Sequence, residues 1–286
     1  MNIEINFVNV LIIILLIFII LCIYQYFIDN ILYYYNGKIN IDNLKLNENN
    51  KKNIQDKKFA ICISGQVRNG YEECLTLILI FLIKKYNADV FCCFEDCDNN
   101  IKQYINKTLN PKKIKYVQDF KKDDNNLVSI GTLSMYNKIY LANQLKKDYE
   151  NENNFIYDYV IRIRPDLIIK ESLPNYIFTE NKNIIYFPYI SKIFSYYGYP
   201  DFFAISNSKL MDIYADIFKY LLDNTNKCNV SETLLYKYLN TNNVKCEIIN
   251  YPIQLYRFKY DNLNNFVESI KYVYSLKDRY LFENKC

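Results

Sequence analysis

Three charged residues at the end of one apolar segment are the strongest candidates for chemistry. Arg162, Arg164 and Asp166 alternate with apolar residues in the sequence RIRPD. In a β-strand this spacing places all three side chains on one face, and Pro165 puts Asp166 where the strand ends. Burying them is costly unless they pair with one another or bind a ligand. The pattern therefore predicts either an internal ion pair or a site where arginine holds phosphate or Asp166 holds a divalent cation.

A second candidate lies where Ser64-Gly65-Gln66-Val67-Arg68 follows another apolar run. Gly65 permits an unusual backbone angle and a close approach of a ligand to the main chain. A helix is expected to begin just after this turn, and its first N–H groups favour an anion such as a diphosphate. Arg68 could add a bidentate contact to phosphate. The alternative is an ordinary tight turn with a solvated arginine.

Two more carboxylates lie at the start of predicted elements. Asp201 precedes the apolar run FFAIS, and Glu232 lies in the first turn of a helix predicted over 231–240. Both have a purely structural alternative. Asp201 could cap a turn, and Glu232 could stabilise the positive end of a helix that has Ser231 as its N-cap.

The composition excludes several classes of chemistry. The chain has no His, so a Ser-His-Asp triad, a Cys-His dyad and an HExxH zinc site are impossible. With 35 basic and 31 acidic residues the net charge is +4, and no basic block with interleaved aromatic residues is present, so nucleic-acid binding is not expected. A hydrophobic fraction of 51% supplies a sizeable core. Cys92, Cys93 and Cys97 are interpreted as core cysteines rather than a metal site.

Strand-like and helix-like segments alternate through the first half of the chain. This order predicts a mostly parallel α/β sheet with helices on both faces, in which a ligand binds at the carboxyl ends of the strands. The predicted strands are 59–64, 89–95, 113–117, 157–167, 201–206 and 244–249. The predicted helices are 71–86, 99–109, 132–150, 207–222 and 231–240.

An apolar run over residues 7–24, FVNVLIIILLIFIILCIY, predicts one membrane-spanning helix. At about 1.5 Å per residue it extends about 27 Å, close to the thickness of the hydrocarbon layer. Glu4 rather than a basic segment precedes the run, which favours a retained anchor over a cleaved signal peptide. We expect a membrane anchor over residues 1–27, a polar stem over 28–57 and an α/β domain over 58–286.

The side of the membrane on which the domain lies stays open. Lys38 and Lys45 follow the apolar run while no Lys or Arg precedes it, which favours a cytosolic domain by the positive-inside rule. Glycosylation sequons at Asn106 and Asn229 instead suit a lumenal domain, although sequons arise easily by chance in an Asn-rich chain.

Several ordered motifs resemble one family. They are ISGQVRN (63–69), ADVFCCFE (88–95), SMYNKIYLANQLKKDYE (134–150), YDYVIRIRPDL (157–167), DFFAISNSKLMDIYADIF (201–218) and SETLLYKYL (231–239). Together they resemble a group of predicted glycosyltransferases found in bacterial surface-polysaccharide loci and in large DNA viruses, similar to the WavE-like lipopolysaccharide-synthesis proteins. The resemblance covers roughly residues 58–250.

The resemblance implies a GT-A-like, Rossmann-type sheet that binds a nucleotide-sugar donor. Ser64, Gly65, Gln66 and Arg68 would then lie by the nucleotide, together with Arg162 and Arg164. Asp166 would occupy the place of the metal-binding DxD motif, with Mg²⁺ or Mn²⁺ as the ion. RPD offers one carboxylate where DxD offers two, so an arginine could neutralise the diphosphate instead. Asp201 and Glu232 would face the sugar or the acceptor, one of them as general base.

The expected function is therefore transfer of a sugar from a nucleotide-sugar to a glycan, lipid or protein by a single-pass membrane enzyme, in a host endomembrane if the chain is viral. Two alternatives remain. The chain could be a catalytically inactive, membrane-anchored binding protein with the same fold. It could also be another nucleotide-using transferase that releases phosphate or pyrophosphate.

Overall fold

The computed structural model describes residues 56–118, 120, 128–178, 183–189, 198–223 and 230–255. Both the predicted membrane anchor and nearly all of the predicted stem lie outside these residues. Within the described ranges, no helix is long and apolar enough to cross a membrane.

The described residues form a seven-stranded central sheet in the order β3-β2-β1-β4-β7-β6-β8. Its strands are β1 (Phe59–Gly65), β2 (Asp89–Glu95), β3 (Lys113–Val117), β4 (Tyr159–Ile163), β6 (Ile185–Pro188), β7 (Phe203–Ser206) and β8 (Cys246–Ile249). A separate antiparallel pair joins β5 (Leu167–Ile169) to β9 (Ile253–Leu255). The apolar character of β1, β2 and β4 follows from burial on both faces.

Six strands of the central sheet run in one direction, and β7 is antiparallel to both of its neighbours. Cys62 of β1 is in register with Phe91 of β2 on one side and with Arg162 of β4 on the other. We call the edge where the parallel strands end the carboxyl edge. Because β7 is reversed, its first residue, Phe203, lies at this edge beside Ile163 at the end of β4.

Helices cover both faces of the sheet. They are α1 (Tyr71–Ile78, continued by a π-helical turn at Leu79–Lys84), α2 (Asn99–Leu109), α3 (Ile130–Glu152), α4 (Ser208–Ala215), α5 (Ile217–Leu222) and α6 (Ser231–Thr241), with a 3₁₀ turn at Asn175–Phe178. Side chains of α3 to α6 join those of Ala60 and Cys62 in one buried core. On the opposite face, Phe59 stacks against Tyr86 just beyond α1, with ring centroids 5.0 Å apart.

Most elements match their prediction from sequence. The mostly parallel sheet is confirmed, as are the strands at 59–64, 89–95 and 113–117 and the helices at 71–86, 99–109, 132–150 and 231–240. Cys92 and Cys93 are buried in β2, as expected for core cysteines. The strands β5, β6 and β9 were not predicted, because they are three or four residues long and carry too few positions to show a period.

Two predicted elements are wrong in extent. The strand expected over 157–167 ends at Ile163, because Pro165 and Asp166 form a turn before β5. The single helix expected over 207–222 divides at Asp216, whose ψ of −5° ends α4 and whose carbonyl accepts the Lys219 N–H that begins α5. The first difference bears on the candidate site, because Arg164 and Asp166 no longer follow the alternation of a strand.

A buried ionic network fastens α4 to α3. The ammonium of Lys146 is fully buried and lies 2.9 Å from Asp212 and 3.2 Å from Glu150. Ser208 accepts a hydrogen bond from Lys146 and donates one to Glu150. The Glu150 oxygen that accepts from Ser208, Oε1, also accepts a hydrogen bond from the N–H of Tyr157, near the start of β4. The cation therefore balances two carboxylates inside the domain.

Replacing Lys146 by Met should destabilise the domain strongly. The substitution keeps the apolar stem but leaves Glu150 and Asp212 without their shared cation, which costs about 3–5 kcal/mol. The neighbouring Lys147→Met is the matched control, because Lys147 is 36% exposed and lies 3.5 Å from Asp212, so its loss should cost about 0–1 kcal/mol. Urea unfolding of both variants measures the difference, and equal costs would show that the network contributes nothing.

Candidate functional site

The order of the strands reverses at β1, and this creates the place where a ligand is expected. From β1 the chain first builds outward to β2 and β3 and later places β4 on the other side. In open α/β sheets the loops that leave two such neighbouring strands separate and form a crevice at the carboxyl edge. The two candidate motifs found in the sequence follow β1 and β4, so they are the segments that border this position.

Gly65 allows the turn after β1 to contact the turn after β4. Its φ is +139°, a value that L-residues rarely adopt, and a Cβ at this position would lie 3.3 Å from Cδ of Pro165. The group that comes close to the main chain of Gly65 is thus the ring of Pro165. The contact brings the turn after β1 against the turn after β4.

Arg164, Asp166 and Arg68 form one cluster at this contact. Arg164 donates from Nε to Oδ1 of Asp166 at 2.8 Å and from Nη2 to Oδ2 at 2.6 Å, which is a bidentate fork. Nε of Arg68 lies 3.7 Å from Oδ2 of the same carboxylate. The exposed fractions of the side chains are 3% for Asp166, 13% for Arg164 and 47% for Arg68. Positive charge therefore faces the solvent, and the carboxylate lies behind it.

Arg68 and Arg164, rather than the start of α1, supply the positive charge of this site. Gly70 precedes α1 with a φ of 83° and caps it without a side-chain hydrogen bond. Glu72 and Glu73 lie in the first turn and are exposed, so they already offset the positive end of the helix dipole. The expected anion site at the helix start is weakened by these two carboxylates.

The donor set around Asp166 does not fit a divalent cation. Both carboxylate oxygens already face guanidinium groups. Among the described residues, no group of three or more Cys, Asp or Glu side chains is arranged to hold a metal ion. The Mg²⁺ or Mn²⁺ expected at Asp166 would have to displace the Arg164 fork.

Arg162 lies inside the domain rather than in the crevice. It belongs to β4 proper, is 2% exposed, and donates from Nη1 to the carbonyl of Phe202 at 2.5 Å. Its Nε and Nη2 have no hydrogen-bond partner among the described residues. Burial lowers its pKa, and the charges of Tyr214 and Asp201 partly oppose that effect. β4 ends at Ile163, so of the three residues predicted to share a strand face only Arg162 lies within the strand.

Asp201 is brought to the carboxyl edge by the reversal of β7. It is 7% exposed and precedes Phe202, whose carbonyl accepts the N–H of Arg164 at 3.1 Å as well as the bond from Arg162. The hydroxyl of buried Tyr214 donates to the carbonyl of Asp201 at 3.3 Å. The segment that carries Asp201 is thus tied to Arg162 of β4 and to Arg164 just after β4.

Glu232 lies near the same buried groups. The hydroxyl of Tyr136 donates to the carbonyl of Ser231 at 2.8 Å, and burial followed by the charge of Asp201 raises the pKa of Tyr136. Glu232 also contributes to that shift. Ser231 is the first residue of α6, so the expectation that it is the N-cap is wrong, and its hydroxyl bonds to Glu232 instead at 2.8 Å.

Gly198 fixes the approach of the Asp201 segment to α6. Its φ is +152°, and a Cβ there would lie 2.1 Å from the carbonyl oxygen of Glu232. No other residue type fits between these backbones. This contact places the segment that leads to Asp201 against the backbone of Glu232, although Asp201 and Glu232 are 31 positions apart in the sequence.

Two residues at the carboxyl edge were missed by the sequence reasoning. Glu95 ends β2 and accepts hydrogen bonds from Gln66 at 3.4 Å and from Lys138 at 3.3 Å. Lys138 lies on α3 and is 4% exposed. Glu95 could have been found as a carboxylate ending an apolar strand, whereas nothing in the pattern of α3 marks Lys138. Ser64, beside them at the end of β1, is 1% exposed, and its hydroxyl has no partner among the described residues.

No protein-family model and no curated protein matches the chain. The chain is similar to the crystal structure of a "putative nucleotide-diphospho-sugar transferase" from Desulfovibrio desulfuricans G20. The two are 10% identical, the similarity covers 68% of this chain and 79% of the other, and the TM-score is 0.38. A functional conclusion therefore has to rest on the side chains at the carboxyl edge.

Replacing Tyr136 by Phe should loosen the start of α6 selectively. The lost hydrogen bond to Ser231 costs about 1 kcal/mol, and amide hydrogen exchange should rise in the first turn of α6. Tyr159→Phe is the matched control, because Tyr159 is also buried and its hydroxyl donates to the carbonyl of Phe178 at 3.0 Å, away from the carboxyl edge. Faster exchange at α6 in both variants, or in neither, would contradict this role of Tyr136.

Proposed function

We propose that this chain is a glycosyltransferase of the GT-A-like class that uses a nucleotide-sugar donor. The observation that carries the proposal is the cluster of Arg68, Arg164 and Asp166 at the meeting point of β1 and β4. An anion that enters the crevice at a switch in strand order meets two guanidinium groups there. A diphosphate has the charge and the oxygen spacing that such groups recognise.

In this proposal the donor lies along the carboxyl edge. Its diphosphate contacts Arg68 and Arg164, and its nucleoside extends toward the ends of β1 and β2, where Gln66 and Glu95 are held together. Its sugar extends the other way, toward Asp201. The hydrogen bond from the N–H of Arg164 to the carbonyl of Phe202 links the phosphate end to the sugar end at 3.1 Å.

The chemistry follows from the carboxylates near the sugar. Asp201 or Glu232 accepts the proton of an acceptor hydroxyl, whose oxygen forms a bond to the anomeric carbon of the donor sugar. The bond from that carbon to the phosphate oxygen breaks, and its electron pair leaves with the nucleoside diphosphate. Arg68 and Arg164 stabilise the negative charge that develops on the leaving group. Gly198, Tyr136 and Tyr214 hold the two carboxylates in place through main-chain contacts.

In this proposal the reaction takes place at a membrane. The apolar run over residues 7–24 would tether the enzyme to a membrane as a single-pass protein. Its acceptor would then be a glycan, lipid or protein presented at that membrane.

One observation favours the alternative of a catalytically inactive binding protein. The Arg164 fork closes on Asp166, and Arg162 is sealed from solvent, as expected if these charges serve stability alone. The exposed guanidinium of Arg68 at the same cluster distinguishes a ligand site from a closed ion pair. A third possibility, another nucleotide-using transferase, differs in its product, because it releases pyrophosphate or phosphate instead of a nucleoside phosphate.

Nucleoside diphosphates should stabilise the full-length protein against heat. At a ligand concentration 100 times the Kd, stabilisation is about 2.7 kcal/mol, which raises Tm by several degrees. Arg68→Ala and Arg164→Ala should each raise the Kd by about 10- to 100-fold, because each removes a charge-assisted hydrogen bond to phosphate. A melting screen with the diphosphates of adenosine, guanosine, cytidine, uridine and thymidine measures both effects.

Lys112→Ala is the control for loss of one positive charge. Lys112 is 45% exposed and pairs with Asp89 at the opposite edge of the sheet, so this variant should bind nucleotide as the wild type does. If no nucleotide changes the Tm of the wild type, the donor site is wrong. If all three variants weaken binding alike, the effect is general charge rather than the proposed cluster.

A further inference from the structure

The geometry of Asp166 bears on how the site neutralises a diphosphate. Its carboxylate is 3% exposed and receives two hydrogen bonds from Arg164, at 2.8 and 2.6 Å, on separate oxygens. Arg68 adds a second positive charge 3.7 Å from one of these oxygens. The carboxylate thus orients two guanidinium groups, so its role is to position the arginines.

A divalent cation on the same carboxylate would meet strong repulsion. Mg²⁺ binds carboxylate oxygens at about 2.0–2.1 Å, so an ion on Asp166 would lie within about 6 Å of both guanidinium groups. Like charges at such separations oppose one another unless further anions intervene. The described residues offer no cluster of three or more carboxylates or thiolates that would add them. A cation would therefore have to break the Arg164 fork before it could bind.

We propose that this site binds the donor diphosphate without a divalent cation, with Arg68 and Arg164 in the place that a metal ion takes in metal-dependent transferases. The inference rests on the proposed function and adds to it the means of charge neutralisation. Asp166 is the positioning residue, because it fixes the plane of the Arg164 guanidinium and the approach of Arg68. Because Nε and Nη2 of Arg164 donate to Asp166, phosphate oxygens would be met by Nη1 and by the second hydrogen of Nη2, a planar donor pair that a single ammonium does not offer.

The test is nucleotide binding by the full-length protein with and without metal. Nucleoside diphosphates and inorganic pyrophosphate are titrated into the wild type in EDTA, in millimolar Mg²⁺ and in millimolar Mn²⁺, with Tm as the readout. The proposal predicts Kd values that agree within about threefold across the three conditions. It also predicts that Arg164→Gln weakens binding at least about tenfold in EDTA, where no ion can take the place of the guanidinium.

The contrary results are distinct. If EDTA weakens binding to the wild type about tenfold or more and Mn²⁺ restores it, the site is metal-dependent and this inference fails, while the donor site stands. Mn²⁺-dependent binding that appears only in Arg164→Gln supports the inference, because Asp166 released from its fork can then hold an ion that the wild type excludes. If none of the probes changes the Tm of the wild type in any condition, the proposed function fails, and the inference fails with it.

Discussion

The carboxylate of Asp166, enclosed by Arg164 and approached by Arg68, is the interaction on which the site depends. It joins the turn after β1 to the turn after β4 at the point where the order of strands reverses. Gly65 makes the join possible, since a side chain there would press on Pro165. An ion pair of this kind is neutral or costly for stability compared with apolar packing. In the proposed function the pair instead places two arginines at the carboxyl edge for an anion.

Behind this cluster, buried side chains direct hydrogen bonds at main-chain carbonyls next to the other candidate residues. Arg162 binds the carbonyl of Phe202, Tyr214 that of Asp201 and Tyr136 that of Ser231. Contacts to the main chain fix where a segment lies and leave its own side chain to do chemistry. The Lys146 network adds rigidity by fastening α4, which carries Tyr214, to α3, which carries Tyr136. The protein thus holds its candidate carboxylates through a scaffold that never reaches solvent.

The sequence predicted the elements with strong periods and failed where tertiary contacts decide. Alternation and apolar runs locate β1, β2 and α3 because burial of one face or both leaves a pattern in the sequence. The end of β4 was predicted several residues too late, because the sequence RIRPD is compatible both with a strand and with a turn. Arg162 was therefore expected beside Arg164 in the site, whereas the fold buries it. The sequence around Lys138 gives no indication of a role, since that role depends on its contact with Glu95, 43 residues earlier.

The most direct test of the account is a crystal structure of the protein grown with a nucleoside diphosphate. The account predicts phosphate oxygens about 2.7–2.9 Å from guanidinium nitrogens of both Arg68 and Arg164, at the contact between Gly65 and Pro165. The nucleoside should lie over the ends of β1 and β2. A diphosphate bound elsewhere on the domain, with no phosphate oxygen within hydrogen-bond distance of Arg68 or Arg164, would contradict it.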